Sequence, residues 1–193
     1  MTARLFLIGG PSHAGKSTLA AAAANYLNCR CISTDSLAKH PGRPWRDAPE
    51  QPPPHVVEHY RDLGLDEMMA SVLDHYRSMW SPLVLPLIES GEPLVLEGSA
   101  LLPELVAQLD MQQLRATWLV AAEGVLERRI KAESDYDCRE ADGRFLIGKF
   151  AQRAVAFNRF IEQEVSRLSL PKIQIDHDIP VDELLSYLLP KRA

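Results

Sequence analysis

A short apolar run, Leu5-Phe6-Leu7-Ile8, ends in Gly9-Gly10, and an alanine-rich stretch begins at Ser17. Between them lies Gly10-Pro11-Ser12-His13-Ala14-Gly15-Lys16-Ser17, which fits the pattern G-x-x-x-x-G-K-[ST]. No other feature narrows the fold as far. Four consecutive apolar residues read as a strand buried on both faces. Residues 17–27 are helical by propensity. A strand that turns through glycines directly into a helix opens an α/β domain with a mainly parallel sheet.

The rest of the chain fits that frame. Cys29 to Ser33, Pro93 to Leu96, Thr117 to Val120 and Ile173 to Ile175 read as four further strands. Ala122 to Glu133, Phe145 to Leu168 and Val181 to Leu189 read as helices. Gly64 looks like a helix stop and Asp66 like the cap of the next helix, where Met69, Val72, Leu73, Tyr76 and Trp80 follow at helical spacing. Residues 41–54 hold six of the 14 prolines and are expected to be extended and irregular. No linker divides the chain, so one domain over residues 1–193 is expected, with a proline-rich insertion at 41–65.

Composition sets limits. The chain has 193 residues, 46% of them hydrophobic, enough for a core without a metal or disulfide staple. The net charge of −5 argues against a dedicated duplex-DNA binder, so nucleic acid is not expected as a partner. The charge is uneven, however. Arg4, Lys16, Arg30, Lys39, Arg43 and Arg46 face a single acid, Asp35, within residues 1–46. A positive segment in an acidic chain suggests a local anion site. No signal peptide or membrane-spanning run is visible. Cys29, Cys31 and Cys138 read as reduced thiols in a cytoplasmic chain, packed in the core rather than bound to metal.

The glycine-lysine loop has a specific chemistry. Gly10 and Gly15 permit backbone conformations that turn successive N–H groups inward, and the helix that follows adds its positive end. Lys16 offers a point charge to β- and γ-phosphates, and the Ser17 hydroxyl a ligand to Mg²⁺. The residues expected to touch nucleotide are Gly10, Pro11, Ser12, His13, Ala14, Gly15, Lys16, Ser17 and Thr18.

The loop and its flanks resemble the P-loop NTPase fold: a five-stranded, mainly parallel sheet with helices on both faces and a small helical lid. There is no N/T-K-x-D run of the GTPase kind and no L-S-G-G-Q signature of transporter ATPases. What remains resembles the small-molecule and nucleotide kinases. Residues Ile32-Ser33-Thr34-Asp35-Ser36, the block Leu94-Val95-Leu96-Glu97-Gly98-Ser99-Ala100-Leu101-Leu102-Pro103, and the stretch from Arg144 through Phe150 to Arg153 are similar to segments of 2-phosphoglycerate kinases. The zeta-toxin-like and chloramphenicol-phosphotransferase-like kinases share this layout. The resemblance implies ATP and Mg²⁺ as cofactors and a small molecule as acceptor, with a homodimer left open. A kinase of a larger acceptor, a nucleotide sugar or a polynucleotide 5′ end, and a non-catalytic nucleotide-binding regulator are the rival readings.

Asp35 follows a strand end, where a parallel sheet opens its ligand crevice. Its carboxylate can take or orient the proton of an acceptor hydroxyl; the alternative is a helix cap. Glu97 ends the third strand, where it can order a Mg²⁺-bound water or contact the acceptor; the alternative is an acid paired with a lysine. Gly98 and Ser99 follow it and are expected on the acceptor side. The loop with Arg43, Trp45 and Arg46 departs from the 2-phosphoglycerate kinase pattern. It either binds an anionic acceptor and stacks on a ring, or is a solvated surface loop. The lid is expected at 131–145, within an arginine-rich region that extends to 153. Arg129 shares the stripe of Ala122, Val125, Leu126 and Ile130 and is expected to face the nucleotide and, with another lid arginine, to neutralise the transferring group, whereas Arg128 lies opposite. Arg139 and Arg144 are lid candidates. Lys149 and Arg153 are either site cations or ordinary surface charges. Phe145, Phe150, Phe157 and Phe160 are expected to pack in the core.

Overall fold

The computed structural model describes residues 4–38, 40–45, 51–112, 114–176 and 179–189. Strands β1 (Leu5–Gly9), β2 (Arg30–Ser33), β3 (Leu94–Glu97), β4 (Leu114–Ala121) and β5 (Lys172–Ile175) form one sheet in the order β2-β3-β1-β4-β5. Every pairing is parallel. The helices are α1 (Lys16–Leu27), α2 (Pro54–Asp62), α3 (Leu65–Met79), α4 (Leu85–Glu89), α5 (Pro103–Val106), α6 (Val125–Glu133), α7 (Ala141–Arg167) and α8 (Val181–Leu188).

The apolar run of β1 is explained by its two faces. Phe6 and Ile8 enter one hydrophobic cluster with α1 and α8, while Leu5 and Leu7 enter a second with Val72 of α3 and Val106 of α5. A central parallel strand covered on both sides cannot alternate apolar with polar residues. The 27 residues of α7 serve both clusters. Leu146, Ile147, Phe150 and Ala154 pack in the first, and Phe157, Ile161 and Val165 in the second.

One side chain of α7 also completes the sheet. β1 ends at Gly9, opposite Trp118 of β4, so the end of β4 has lost its neighbour there. Asn158 takes its place: its Nδ2 donates to the Ala121 carbonyl at 2.8 Å, and its Oδ1 accepts from the Ala121 N–H at 2.9 Å. Asn158→Ala would leave two buried backbone groups unpaired. The expected loss is roughly 2–4 kcal/mol in urea unfolding; a loss near zero would mean that water replaces the amide.

Several sequence expectations need correction. β2 lies at the sheet edge, so Cys31 is exposed and Cys29 half-buried rather than core, and Cys138 is also exposed. Asp66 is not a cap; Gly64 precedes α3, and its N–H donates to Glu67 Oε2 at 2.7 Å. The proline-rich segment stops being irregular at Pro54, whose ring suits the first turn of α2. Gly124, with φ +75°, breaks the chain before α6, which therefore starts at Val125 and not Ala122. α7 begins at Ala141, and in its early turns Phe145 stays half exposed; Phe150 and Phe157 are buried as expected. Among the described residues, no helix is long and apolar enough to cross a membrane.

Candidate active site

Parallel strands bring their C-terminal ends to one rim. Ile8 of β1 is in register with Glu97 of β3, and Glu97 with Ser33 of β2. The loop after β1, the turn after β2 and the last residue of β3 therefore meet. A cavity of about 470 Å³ opens there, lined by Ser12 to Thr18, Asp35, Arg43, Glu97, Arg129 and Glu133, with Ile175, Ile179, Val181 and Leu184 at the β5–α8 side.

The loop has the conformation its glycines imply. Gly10 has φ +132°, and a Cβ there would lie 2.5 Å from the Leu119 carbonyl oxygen of β4. Gly15 has φ +97° and opens α1. Lys16, only 7% exposed, donates from Nζ to the Pro11 carbonyl at 2.7 Å. Burial lowers the pKa of its ammonium, against the opposing pull of Glu97 and Asp35. Ser17 Oγ donates to Glu97 Oε1 at 3.1 Å. Ser99, also buried, donates from Oγ to the Gly10 carbonyl at 3.0 Å, pinning the loop from β3.

Ser17 and Glu97 together test the fit of a magnesium ion. Both offer hard oxygen donors, adjacent at the cavity wall, and Mg²⁺ commonly takes one or two protein oxygens beside phosphate and water. The donor set fits that cation. Among the described residues, no group of three or more His, Cys, Asp or Glu is placed to hold a metal.

Asp35 sits in a short 3₁₀ turn, Thr34–Ser36, directly after β2. Its N–H donates to Ser33 Oγ at 3.3 Å, so Ser33 is the cap and the Asp35 carboxylate is exposed at the cavity. Arg129 projects from α6 and donates from Nη1 to the His13 carbonyl at 3.1 Å, while Arg128 is exposed. The His13 ring lies near those of Trp45 and Phe150, with centroids 6.0 and 5.8 Å away. Burial lowers its pKa to about 4, so it is neutral near pH 7. Its Nε2 lies 2.9 Å from Glu133 Oε2, without hydrogen-bond alignment.

The acceptor-side residues are divided. Arg43 lines the cavity, pairs with Glu133 and lies over the Trp45 ring. Trp45 is 7% exposed and packs edge-on against Phe150 at 4.9 Å, which leaves it in the core rather than free to stack on a ligand. Arg46 lies outside the described residues. Gly98 approaches Thr34 so closely that a Cβ there would overlap its hydroxyl. Arg139 donates from Nε to the Ser134 carbonyl, and Arg144 from Nη1 to the Arg139 carbonyl; neither lines the cavity. Lys149 is tied to the Leu63 carbonyl at 2.6 Å. Arg153 is no surface charge: it is 7% exposed, beneath the rings of Tyr60 and Phe150. Glu133 carried no sequence signal, because its partners His13 and Arg43 are 120 and 90 residues away.

No family model and no curated protein matches the chain. Solved structures do match its fold. Deoxyadenosine kinase from M. mycoides is 16% identical with a TM-score of 0.53, covering 94% of this chain and 96% of that one. A sugar kinase from Janibacter sp. HTCC2649 is 16% identical with a TM-score of 0.52, covering 95% and 90%. Shikimate kinase from Acinetobacter baumannii, solved with shikimate, is 14% identical with a TM-score of 0.50, covering 95% and 92%. The chain thus has the α/β fold of these P-loop kinases.

Proposed function

We propose that the protein is a kinase that transfers the γ-phosphoryl group of ATP to a hydroxyl of a small molecule. The observation that carries this reading is the convergence of Lys16, Ser17, Glu97 and an uncapped Asp35 carboxylate on one cavity. A phosphate-binding loop alone would serve any nucleotide hydrolase. A free carboxylate across from it gives the site a place for a second substrate.

Lys16 and the loop amides hold the phosphates. The apolar wall of Ile175, Ile179 and Leu184 suits a nucleoside base, with Arg129 between base and phosphates. Bound Mg²⁺ would be held by Ser17 and Glu97 and would neutralise charge on the β- and γ-oxygens. Asp35 accepts the hydroxyl proton as the new O–P bond forms and the bond to the β-phosphate oxygen breaks. The lid, residues 131–145, closes over the transferring group in this reading, and Arg43 borders the acceptor, while buried Gly98 and Ser99 support the loop walls without lining the cavity. Free thiols at all three cysteines accord with a reducing, cytoplasmic setting.

The test is transfer from γ-labelled ATP into a pool of small hydroxyl compounds. Asp35→Asn keeps the hydrogen-bonding shape and loses the base. It is expected to lower transfer on the order of 10²-fold with ATP affinity nearly unchanged. Undiminished transfer would remove Asp35 from the chemistry, and lost ATP binding would place it on the nucleotide side.

A further inference from the structure

Outside the cavity lining, α2, α3, α7 and His40 bring together a second group of polar side chains. Its centre is Arg153. The guanidinium carbon lies 5.2 Å from the Tyr60 ring centroid and 5.1 Å from that of Phe150. Nη1 is buried without a hydrogen-bond partner, and among the described residues no carboxylate pairs with this side chain. An arginine does not shed its proton at accessible pH. Ring faces offset only part of the cost of burying a charge.

The neighbours are donors, not acids. His40 stacks on His75 at 4.7 Å, and His59 meets His40 edge-on at 5.4 Å. Burial and the nearby Arg153 lower the pKa values of His40 and His59 to about 4, so both are neutral near pH 7. His59 Nε2 and His75 Nε2 are buried without partners. A neutral imidazole has one N–H to give; His40 Nε2 is paired with Ser71 Oγ at 2.7 Å, which leaves the unpartnered Nε2 atoms of His59 and His75. A metal ion does not suit the cluster: the guanidinium repels a cation, and among the described residues the histidines are not placed to converge on one. The cluster also connects to the reaction centre. Tyr76 of α3 lies within electrostatic reach of both Arg153 and Asp35.

We propose that the acceptor carries an oxyanion, a carboxylate or a phosphate ester, and that Arg153 holds it with help from the neutral histidines. The proposal deepens the kinase reading and rests on it for the words acceptor and hydroxyl. The anion site itself stands on the unpartnered buried groups. It gives the second substrate two ends: an anionic one at Arg153 and a hydroxyl at Asp35.

The test separates the two ideas. First, inorganic phosphate and malonate are titrated calorimetrically into the full chain saturated with Mg²⁺ and a non-hydrolysable ATP analogue, which occupies the phosphate loop. One saturable anion site is expected, weakened roughly 10- to 100-fold in Arg153→Gln and less in Arg153→Lys, with analogue affinity unchanged. Preference for phosphate or malonate distinguishes the two oxyanions. His59→Asn is a second variant, expected to weaken the same site severalfold should Arg153→Gln fail to fold. Second, labelled ATP is offered with hydroxy acids, sugar phosphates, and neutral polyols and nucleosides. Transfer is expected to anionic compounds alone, with Arg153→Gln raising KM far more than it lowers kcat. Equal turnover of neutral compounds, or anion binding indifferent to Arg153 and His59, overturns the proposal. Anion binding without transfer to any compound overturns the kinase reading and leaves the anion site standing.

Discussion

Lys16→Met is expected to reduce phosphoryl transfer by about 10³-fold or more while leaving the nucleotide-free fold nearly as stable as before. The two halves of that result have one cause. Lys16 is buried, and its ammonium donates to the Pro11 carbonyl at 2.7 Å, with Glu97 and Asp35 attracting it as well. The charge costs desolvation energy and gains back Coulomb energy, so removing it nearly cancels in the empty protein. Methionine keeps the length and apolar stem of the side chain. The imbalance appears only when phosphates arrive, because then the missing charge has a partner. Denaturation with and without Mg²⁺-ATP reads both effects: ATP should raise the midpoint of the wild-type chain and not that of the variant. Transfer near the wild-type rate would sink the kinase assignment.

The second large effect is on folding. Gly98→Ala is expected to cost roughly 2–6 kcal/mol, the sum of an unfavourable backbone conformation and an overpacked contact. Gly98 has φ +147°, and its added Cβ would overlap the Thr34 hydroxyl and lie 2.8 Å from Thr34 Cβ. Thr34 is 1% exposed and has nowhere to retreat. It also begins the turn that carries Asp35, so any relief must move the carboxylate away from Glu97. Adding Thr34→Gly removes the steric part and leaves the backbone part. Thermal unfolding should therefore recover about half of the lost stability in the double variant. No recovery would mean that the conformation of residue 98, and not the contact, carries the cost.

What the sequence revealed, and what it hid, follows from range. The loop's position and conformation were legible because its pattern is written in eight contiguous residues between a strand and a helix. The place of Asp35 and Glu97 at the cavity was legible because a parallel sheet brings its strand ends to one rim, and Glu97 ends β3 while Asp35 lies in the turn after β2. Cys31 was misread because a strand's apolar pattern does not tell whether it lies at the centre or the edge. Strand order decides that, and β2 is an edge. Phe145 was misread because spacing places a residue on a helix face without saying where the underlying core stops. Arg153, His40, His59 and His75 come together from three helices and a loop. Their spacing in the chain has no period, and only packing makes them neighbours.

The strand order has one more consequence. β1, with the phosphate loop, is the third strand of five. β3 and β2 lie on one side of it and end in Glu97 and the Asp35 turn; β4 and β5 lie on the other and lead to Arg129 and the Ile175 wall. In-line displacement requires the entering and leaving oxygens to stand on opposite sides of the phosphorus. In the proposed reaction, that axis runs across the sheet from flank to flank, with phosphorus over the midline. Strand order thus places the Asp35 side and the Arg129 side of the cavity on opposite flanks of β1.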